Sequence, residues 1–395
     1  MDNRLTDSPR LKERWVRKKG LDYYVTGENH DYLADEILQI TRSEADAYLR
    51  AGEQAFDLLR DTARRSLADP VRRAELGIPE KAVPLLEWSV KHEWDNYLIG
   101  RFDFAGGFDG LPLKLIEFNA DTASLLPETT VLQPEILKKA GMKPAPNGLL
   151  AGLSDTLRRI GQGRKDTANV VAHLGHPDDL HNSEILAQAM VDAGWGRADA
   201  VELPEMDFNP DSGLFYEAKP GRWIHYGTMV KFFPWDFALF EEPDLFDYLS
   251  EMVMNDRLRV LNPAWTLLLQ SKALMVHAWK DAPGHPLLLP TDFVPEGLPN
   301  PLDGYVRKPI FGRTGDNVAI ILRGRDVVAE NQGYYGQSTM IYQALAQFNM
   351  DEDKHRYQIS TYHSFRASAL ACRRQDDWII DDDAEYVPLA VGEYL

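Results

Sequence analysis

A single cysteine, Cys372, stands among 395 residues. An intrachain disulfide, a cysteine-based zinc cluster and a CxxC redox pair are thereby excluded. Positive charge is also scarce, with 43 Lys and Arg against 61 Asp and Glu and a formal charge of −18. A chain with a pI near 5.0 lacks the basic face that phosphate backbones and anionic membranes demand, so neither nucleic acid nor a lipid surface is an expected partner. No run of about 18 apolar residues is available to span a bilayer. The opening MDNRLTDSPRLKERW is charged where a secretory leader has an apolar core. A cytoplasmic location is the expectation, and the sequence leaves room for a homo-oligomer without specifying one.

What is present is core-forming. The chain is 44% hydrophobic and 10% aromatic, and it exceeds the roughly 250–300 residues at which one core stops growing. Two or more lobes with a cleft between them are expected. Ala45, Tyr48, Leu49, Ala55, Phe56, Leu59 and Ala63 recur at three- and four-residue steps, which predicts a helix over 43–67 with Ser43 as N-cap and Pro70 as stop. After Leu98 the period becomes two. Residues 100–105 (GRFDFA) and 112–119 (PLKLIEFN) predict a hairpin through Gly106, Gly107 and Gly110.

A strand at 168–174, a helix at 182–193 and a strand at 198–203 predict a βαβ unit. Asn262 and Pro263 predict a helix running to about Lys280. Strands are expected at 304–311, 317–323, 326–330 and 359–374, with 378–381 extending the sheet. The fold class is mixed α/β with antiparallel parts.

Alternation puts Arg101 with Asp103, and Glu117 with Asn119, on one face of the hairpin. A turn centred near Asp109 would set Arg101 opposite Glu117 and Asp103 diagonal to it. Two readings fit that set: a solvated face with a cross-strand ion pair, or a hard-cation site in which two carboxylates and an amide oxygen receive Mg²⁺. The following Ala120-Asp121-Thr122-Ala123-Ser124, small and hydroxylic, suits ligand binding better than core packing. Far downstream, YVRKPIFGRTGDNV runs from a strand into a glycine-containing loop whose backbone N–H groups could approach phosphate. It is no Walker A motif. Lys272 offers a second phosphate contact. The cluster His173, His176, Asp178, Asp179 and His181 reads as a polar loop in preference to a metal site, and Asp381–Asp383 as a solvated charge run.

In order along the chain, GRFDF…LIEFNADTAS, NPAW…SKAL, YVRKPIFGRTGDNV, GYYGQSTMIYQ and RRQDDWIIDDDAEYVPL resemble the synthetase part of the glutathionylspermidine synthase family. The resemblance begins near Trp15 and continues to the C-terminus. It implies an ATP-grasp fold with its preceding domain and an ATP-dependent carboxylate–amine ligase acting through an acyl phosphate. The implied substrates are a glutathione-like acid and a polyamine-like amine. It divides the chain into 1–165 (helical region and hairpin), 166–260 (pre-ATP-grasp-like α/β segment) and 261–395 (nucleotide-binding lobes and C-terminal sheet), one synthetase unit with no amidase domain.

By the same resemblance Asp103, Glu117 and Asn119 hold Mg²⁺, while Lys272, Lys308, Gly312, Gly315 and Gln343 contact ATP. Arg101, Thr122, Ser124, Asp178 and Arg373 contact substrate, with Arg374 as a register rival to Arg373. Arg101 and Arg313 serve catalysis, Arg313 by covering the transferring phosphate or the tetrahedral intermediate. One departure stands out, since Phe232 follows Lys231 where the family has a substrate-contacting Thr. The rival functions are a phosphotransferase using the same ATP site, or a non-catalytic nucleotide- or peptide-binding protein.

Overall fold

The first apolar stripe becomes a 27-residue helix, Arg42–Ala68, in a computed structural model that describes residues 1–26, 32–162 and 167–392. Thr41, not Ser43, caps it. The Thr41 hydroxyl accepts from the Glu44 backbone N–H, and the Glu44 carboxylate accepts from the Thr41 N–H, a reciprocal box that satisfies two otherwise orphaned donors. Pro70 does more than stop this helix, because it opens the next one, Pro70–Glu75, whose free N–H groups bond to Asp69.

The buried stripe of the long helix lies on a six-stranded sheet. Its order is Glu385–Tyr386, Arg366–Gln375, Arg356–Ser364, Gly100–Ala105 and Lys114–Asn119, with Asn349–Met350 paired to Arg356–Ser364. Tyr48 packs edge-on against Phe104, and its carbonyl accepts from the Thr361 hydroxyl. Phe102, Phe104, Leu370 and Cys372 therefore make the apolar face, all fully buried. Alternation sends Arg101, Asp103, Gln358, Ser360 and Arg373 to the opposite face. One side of this sheet is core, and the other carries these polar side chains beside Tyr362, Ala369 and Ala371, which pack in a second core cluster.

The βαβ unit forms as Ala168–His173, Pro177–Asp192 and Ala198–Glu202, with the strands parallel. Its helix starts five residues before the expected Asn182, because His176 caps it and Pro177 takes the first turn. Asp178, Asp179 and His181 are consequently on a helix and not in a loop. The sheet is extended by Arg222–Lys231, Gly213–Lys219, Met206–Asn209 and Arg259–Leu261. An antiparallel sheet of Thr291–Asp292, Met340–Ala344, Tyr305–Pro309, Ala319–Leu322 and Asp326–Glu330 supplies the third layer.

Three other expectations change. The segment after Pro263 is not one helix but a 3-10 turn Ala264–Thr266, a short helix Leu267–Gln270 and, after a break at Ser271, the helix Leu274–Asp281. Asn262 caps nothing here, since its side chain accepts from Leu98 and Ile99 N–H and donates to the Ile99 carbonyl. Residues 359–374 are two strands turning at Phe365, and 378–381 adds no strand. Gln375 exchanges hydrogen bonds with both the Asp381 backbone N–H and its carboxylate, which folds that segment back; Asp381 is thus tied in, while Asp382 and Asp383 are exposed. Among the described residues no helix is long and apolar enough to cross a membrane.

Candidate active site

The hairpin register differs by two residues from the symmetric expectation. Arg101 pairs with Asn119, Phe102 with Phe118 and Asp103 with Glu117, and a bulge follows before Phe104 meets Leu115. The cause is the connection, in which Gly106, Gly107, Asp109 and Gly110 all take positive φ, so the turn is wide and asymmetric. A side chain at Gly107 would put its Cβ 2.5 Å from the Tyr48 hydroxyl. The consequence is that two carboxylates lie directly across from each other.

Asp103 is saturated with donors. Arg101 grips it with Nε to Oδ1 at 2.9 Å and Nη2 to Oδ2 at 3.0 Å, Asn119 Nδ2 reaches Oδ2 at 3.0 Å and Ser360 Oγ reaches Oδ1 at 2.6 Å. The remaining Arg101 nitrogen, Nη1, donates to Ser124 Oγ at 2.9 Å. Glu117 instead pairs with Lys272 Nζ at 2.9 Å. Burial would raise the Glu117 carboxyl, but Lys272 and Lys308 outweigh it and hold it down to about 2.

Lys308 Nζ donates to the Ile116 carbonyl and to Gln343 Oε1, which draws the glutamine amide toward Thr291. Burial pushes this lysine down to about 8 in spite of Glu117, and Lys272 adds to the fall. The break at Ser271 explains how Lys272 arrives. Its backbone N–H bonds to the Ile310 carbonyl and not to its own helix, and its Nζ also donates to the Gly312 carbonyl.

Glu117, Lys272, Lys308, Gly312, Arg313 and Gln343 line a cavity of about 680 Å³, and Gly315 is on the same wall. That volume falls within the range of small-molecule sites. Arg101, Asp103, Asn119 and Ser124 form one hydrogen-bonded group that does not line the cavity and connects to it where Asp103 pairs across from Glu117. Arg313 reaches two acids, Asp236 Oδ2 at 2.8 Å and Glu241 Oε1 at 2.9 Å.

The two late arginines go to opposite faces. Arg374 is buried against Asp35, Glu36, Glu385 and the Tyr357 hydroxyl. Arg373 pairs across from Gln358 on the polar face, and its Nη1 donates to the Asp381 carbonyl at 3.2 Å. Asp178 accepts from the Tyr24 hydroxyl at 2.7 Å. Thr122 is half-buried between two buried neighbours.

Sequence reasoning missed two groups. The run after Asn119 is in part core: Ala120 and Ala123 are buried, and Asp121 accepts from Lys231 Nζ at 2.5 Å, Trp235 N–H at 2.6 Å and Thr266 Oγ1 at 2.9 Å. Phe232 turns away into a cluster with Val171, Val230 and Leu261. The second group centres on Glu128, 1% exposed, which accepts from the Tyr32 hydroxyl through one oxygen while the other is buried without a partner among the described residues. Burial and then the nearby Asp178 raise its carboxyl to about 8. Nothing in LLPETTVLQ signals that burial, whereas the departure at Phe232 did mark the Lys231 neighbourhood.

Among the described residues no three His, Cys, Asp or Glu side chains stand close enough to hold a metal on their own. The chain matches the family described as glutathionylspermidine synthase preATP-grasp over residues 4–392. It is 28% identical over 340 residues to a Haemophilus influenzae protein provisionally named an acid–amine ligase, covering 82% of each chain. Trypanothione synthetase of Crithidia fasciculata is 26% identical, over 74% of this chain and 47% of its own. The bifunctional glutathionylspermidine synthetase/amidase of Escherichia coli is 24% identical, over 89% of this chain and 58% of its own. The chain thus spans about half the length of these last two.

A glutathione synthetase-like effector of Globodera pallida superposes with a TM-score of 0.50 at 12% identity, over 97% of this chain and 98% of its own, which supports the ATP-grasp fold. With a family match running through nearly every described residue and a fold that agrees, the chain belongs to the glutathionylspermidine synthase family.

Proposed function

We propose that this chain is an ATP-dependent carboxylate–amine ligase that activates glutathione or a similar γ-glutamyl peptide and joins it to a polyamine-like amine, in the cytoplasm. The observation that carries the reading is the placement of Glu117, Lys272 and Lys308 together on a nucleotide-sized cavity beside the Arg101–Asp103 pair. The acid's carboxylate oxygen attacks the γ-phosphorus as the bond to ADP breaks. The amine nitrogen then attacks the acyl carbon, phosphate leaves and a proton is lost from nitrogen. No covalent protein nucleophile is needed, so the demands on the protein are charge and position.

Lys272 and Lys308 would neutralise the phosphates, with Gly312 and Gly315 bringing backbone close to them and Gln343 at the nucleotide's base. Asp103, Glu117 and Asn119 would hold Mg²⁺, whose charge offsets that of phosphate oxygens when it is bound. The donor set fits: two facing carboxylates and an amide oxygen, incomplete alone, match the way Mg²⁺ shares its shell with substrate oxygens. Both Asp103 oxygens already accept hydrogen bonds, so Glu117 and the Asn119 oxygen are the freer ligands.

Arg101, Thr122, Ser124 and Arg373 would receive the acid. Asp178 would offer negative charge to a cationic amine, and Glu128, raised to about 8 and so largely protonated near neutrality, would be drawn toward its ionised form by that cation. With Phe232 buried in the core, the γ-glutamyl end lacks a hydroxyl at that point, so the acid is the less constrained of the two substrates.

The deciding experiment supplies Mg-ATP, a panel of γ-glutamyl peptides including glutathione, and a panel of polyamines, and follows ADP and product mass. ADP release that needs both partners and yields their amide is the expected result. ADP release with one acceptor and a stable phosphorylated product would make the protein a phosphotransferase, and no stimulation by any pair would remove the ligase reading. A pH dependence accompanies it. Lys308 is charged below about pH 8 and neutral above, so ADP affinity by calorimetry is expected to weaken as pH rises from 7 to 9. Lys308→Met should flatten the profile, and a wild-type affinity constant over that range would exclude Lys308 as the phosphate contact.

A further inference from the structure

Arg313 lies in a loop in which Thr314, Gly315 and Asn317 adopt positive φ, and the next strand begins only at Ala319. Its backbone hydrogen bonds are local, from the Asp316 N–H to the Arg313 carbonyl and from the Val318 N–H to the Gly315 carbonyl. Side chains tie the loop to another part of the molecule. The Arg313 Nη2 takes both Asp236 and Glu241, the guanidinium lies 5.6 Å from the Tyr335 ring, and Phe311 in the same loop packs on Phe240 at 5.3 Å. Asp236 and Phe240 belong to the helix Trp235–Phe240, and Glu241 follows it.

That helix is itself anchored to the buried segment just beyond the hairpin. Trp235 N–H donates to Asp121, two residues after Asn119, and Trp235 Nε1 donates to the Asn262 carbonyl. Asp236 is not an ordinary surface acid. Its side chain is 3% exposed, one carboxylate oxygen bonds Arg313 and the other is buried without a partner among the described residues. A buried carboxylate keeps its charge only beside a cation, and Arg313 is within 2.8 Å. The pairing also fixes the arginine, which shares one cavity with Lys272, Lys308 and Glu117.

We propose that Asp236, assisted by the more exposed Glu241, is a positioning residue that holds the Arg313 guanidinium at the wall of the cavity. It rests on the ligase reading, in which Arg313 meets the phosphoryl group. Both acids use the same terminal nitrogen, Nη2, while Nε is buried with no partner among the described residues. The grip therefore orients the guanidinium through one of its nitrogens. Asp236 touches neither substrate nor nucleotide in this scheme and acts through Arg313 alone.

The test is a double-mutant cycle on the full chain with Asp236→Asn, Arg313→Ala and both together. Positioning predicts that Asp236→Asn lowers kcat about tenfold or more, with a smaller change in KM for ATP. It further predicts that adding Asp236→Asn to Arg313→Ala costs no more than about twofold, since coupled groups are not additive. An equal loss in both backgrounds would show a structural role and overturn the proposal. Should Asp236→Asn fail to fold, Glu241→Gln is taken through the same cycle and read the same way, with a smaller loss expected. A readout independent of ligase activity is tryptic cleavage after Arg313 with Mg-ADP present. Asp236→Asn or Glu241→Gln should speed it several-fold, and an unchanged rate overturns the positioning claim even if the wild type joins no acid to an amine.

Discussion

Glu117→Gln is expected to lower acid- and amine-dependent ADP release by about 10²- to 10³-fold, the loss typical of removing one preorganised electrostatic contact. The substitution keeps the shape and removes the charge. Glu117 stands opposite Asp103 and pairs with Lys272 at 2.9 Å. With its carboxyl held down to about 2, it is ionised throughout the working range. Its removal leaves Lys272 and Lys308 facing each other without an anion between them. Lys308, already down to about 8 by burial, loses the one opposing influence that raises it. Phosphate neutralisation and the proposed metal ligand would therefore fail together. Turnover within threefold of wild type at saturating Mg-ATP would take Glu117 out of the site.

Asp121→Ala should have the largest effect on stability, about 3–5 kcal/mol, because it strands a buried charge. Lys231 and Asp121 are both 0% exposed on the side chain. Without the carboxylate, Lys231 Nζ keeps the Phe233 carbonyl as its one hydrogen-bond acceptor among the described residues, and Trp235 N–H and Thr266 Oγ1 lose an acceptor. Burial drives Lys231 toward its neutral form, and Asp121 is what opposes it. Lys231→Met should cost less, since Asp121 would retain two donors. Urea unfolding of both variants checks the order, given an unchanged m-value. A loss below about 1 kcal/mol for Asp121→Ala would mean that the pair is not the anchor described.

The two expectations concern different links of one chain of contacts. Asn119 ends the second hairpin strand, Asp121 anchors the helix that carries Asp236, and Asp236 grips Arg313. Damage at Asp121 should therefore lower turnover as well as stability. Glu117→Gln should cost less stability than Asp121→Ala, since the Glu117 side chain is 34% exposed whereas that of Asp121 is fully buried.

Periodicity alone was enough for the long helix, for the βαβ unit and for the pairing of Arg101 with Asp103 and Glu117 with Asn119 on one strand face. These follow from local steric rules that no distant contact overrides. Adjacent positions were the hardest to separate. Arg373 and Arg374 are equally basic in sequence, and only the strand register sends Arg374 to Glu36 and Glu385 while leaving Arg373 on the polar face. The break that aims Lys272 depends on the carbonyl of Ile310, 38 residues on in the chain numbering, which competes with the helix for one N–H.

By itself, then, the sequence determined a large acidic mixed α/β chain with a single cysteine, a carboxylate-bearing hairpin and a basic glycine loop, and its ordered motifs carried the family. Only the tertiary structure decided that Asp103 faces Glu117, that Asp121 is buried on Lys231 110 positions away, that Glu128 is out of water and that Arg313 is held by Asp236. Each of these depends on which backbone segments meet, and burial and pairing energies are properties of that meeting and not of the residues taken singly.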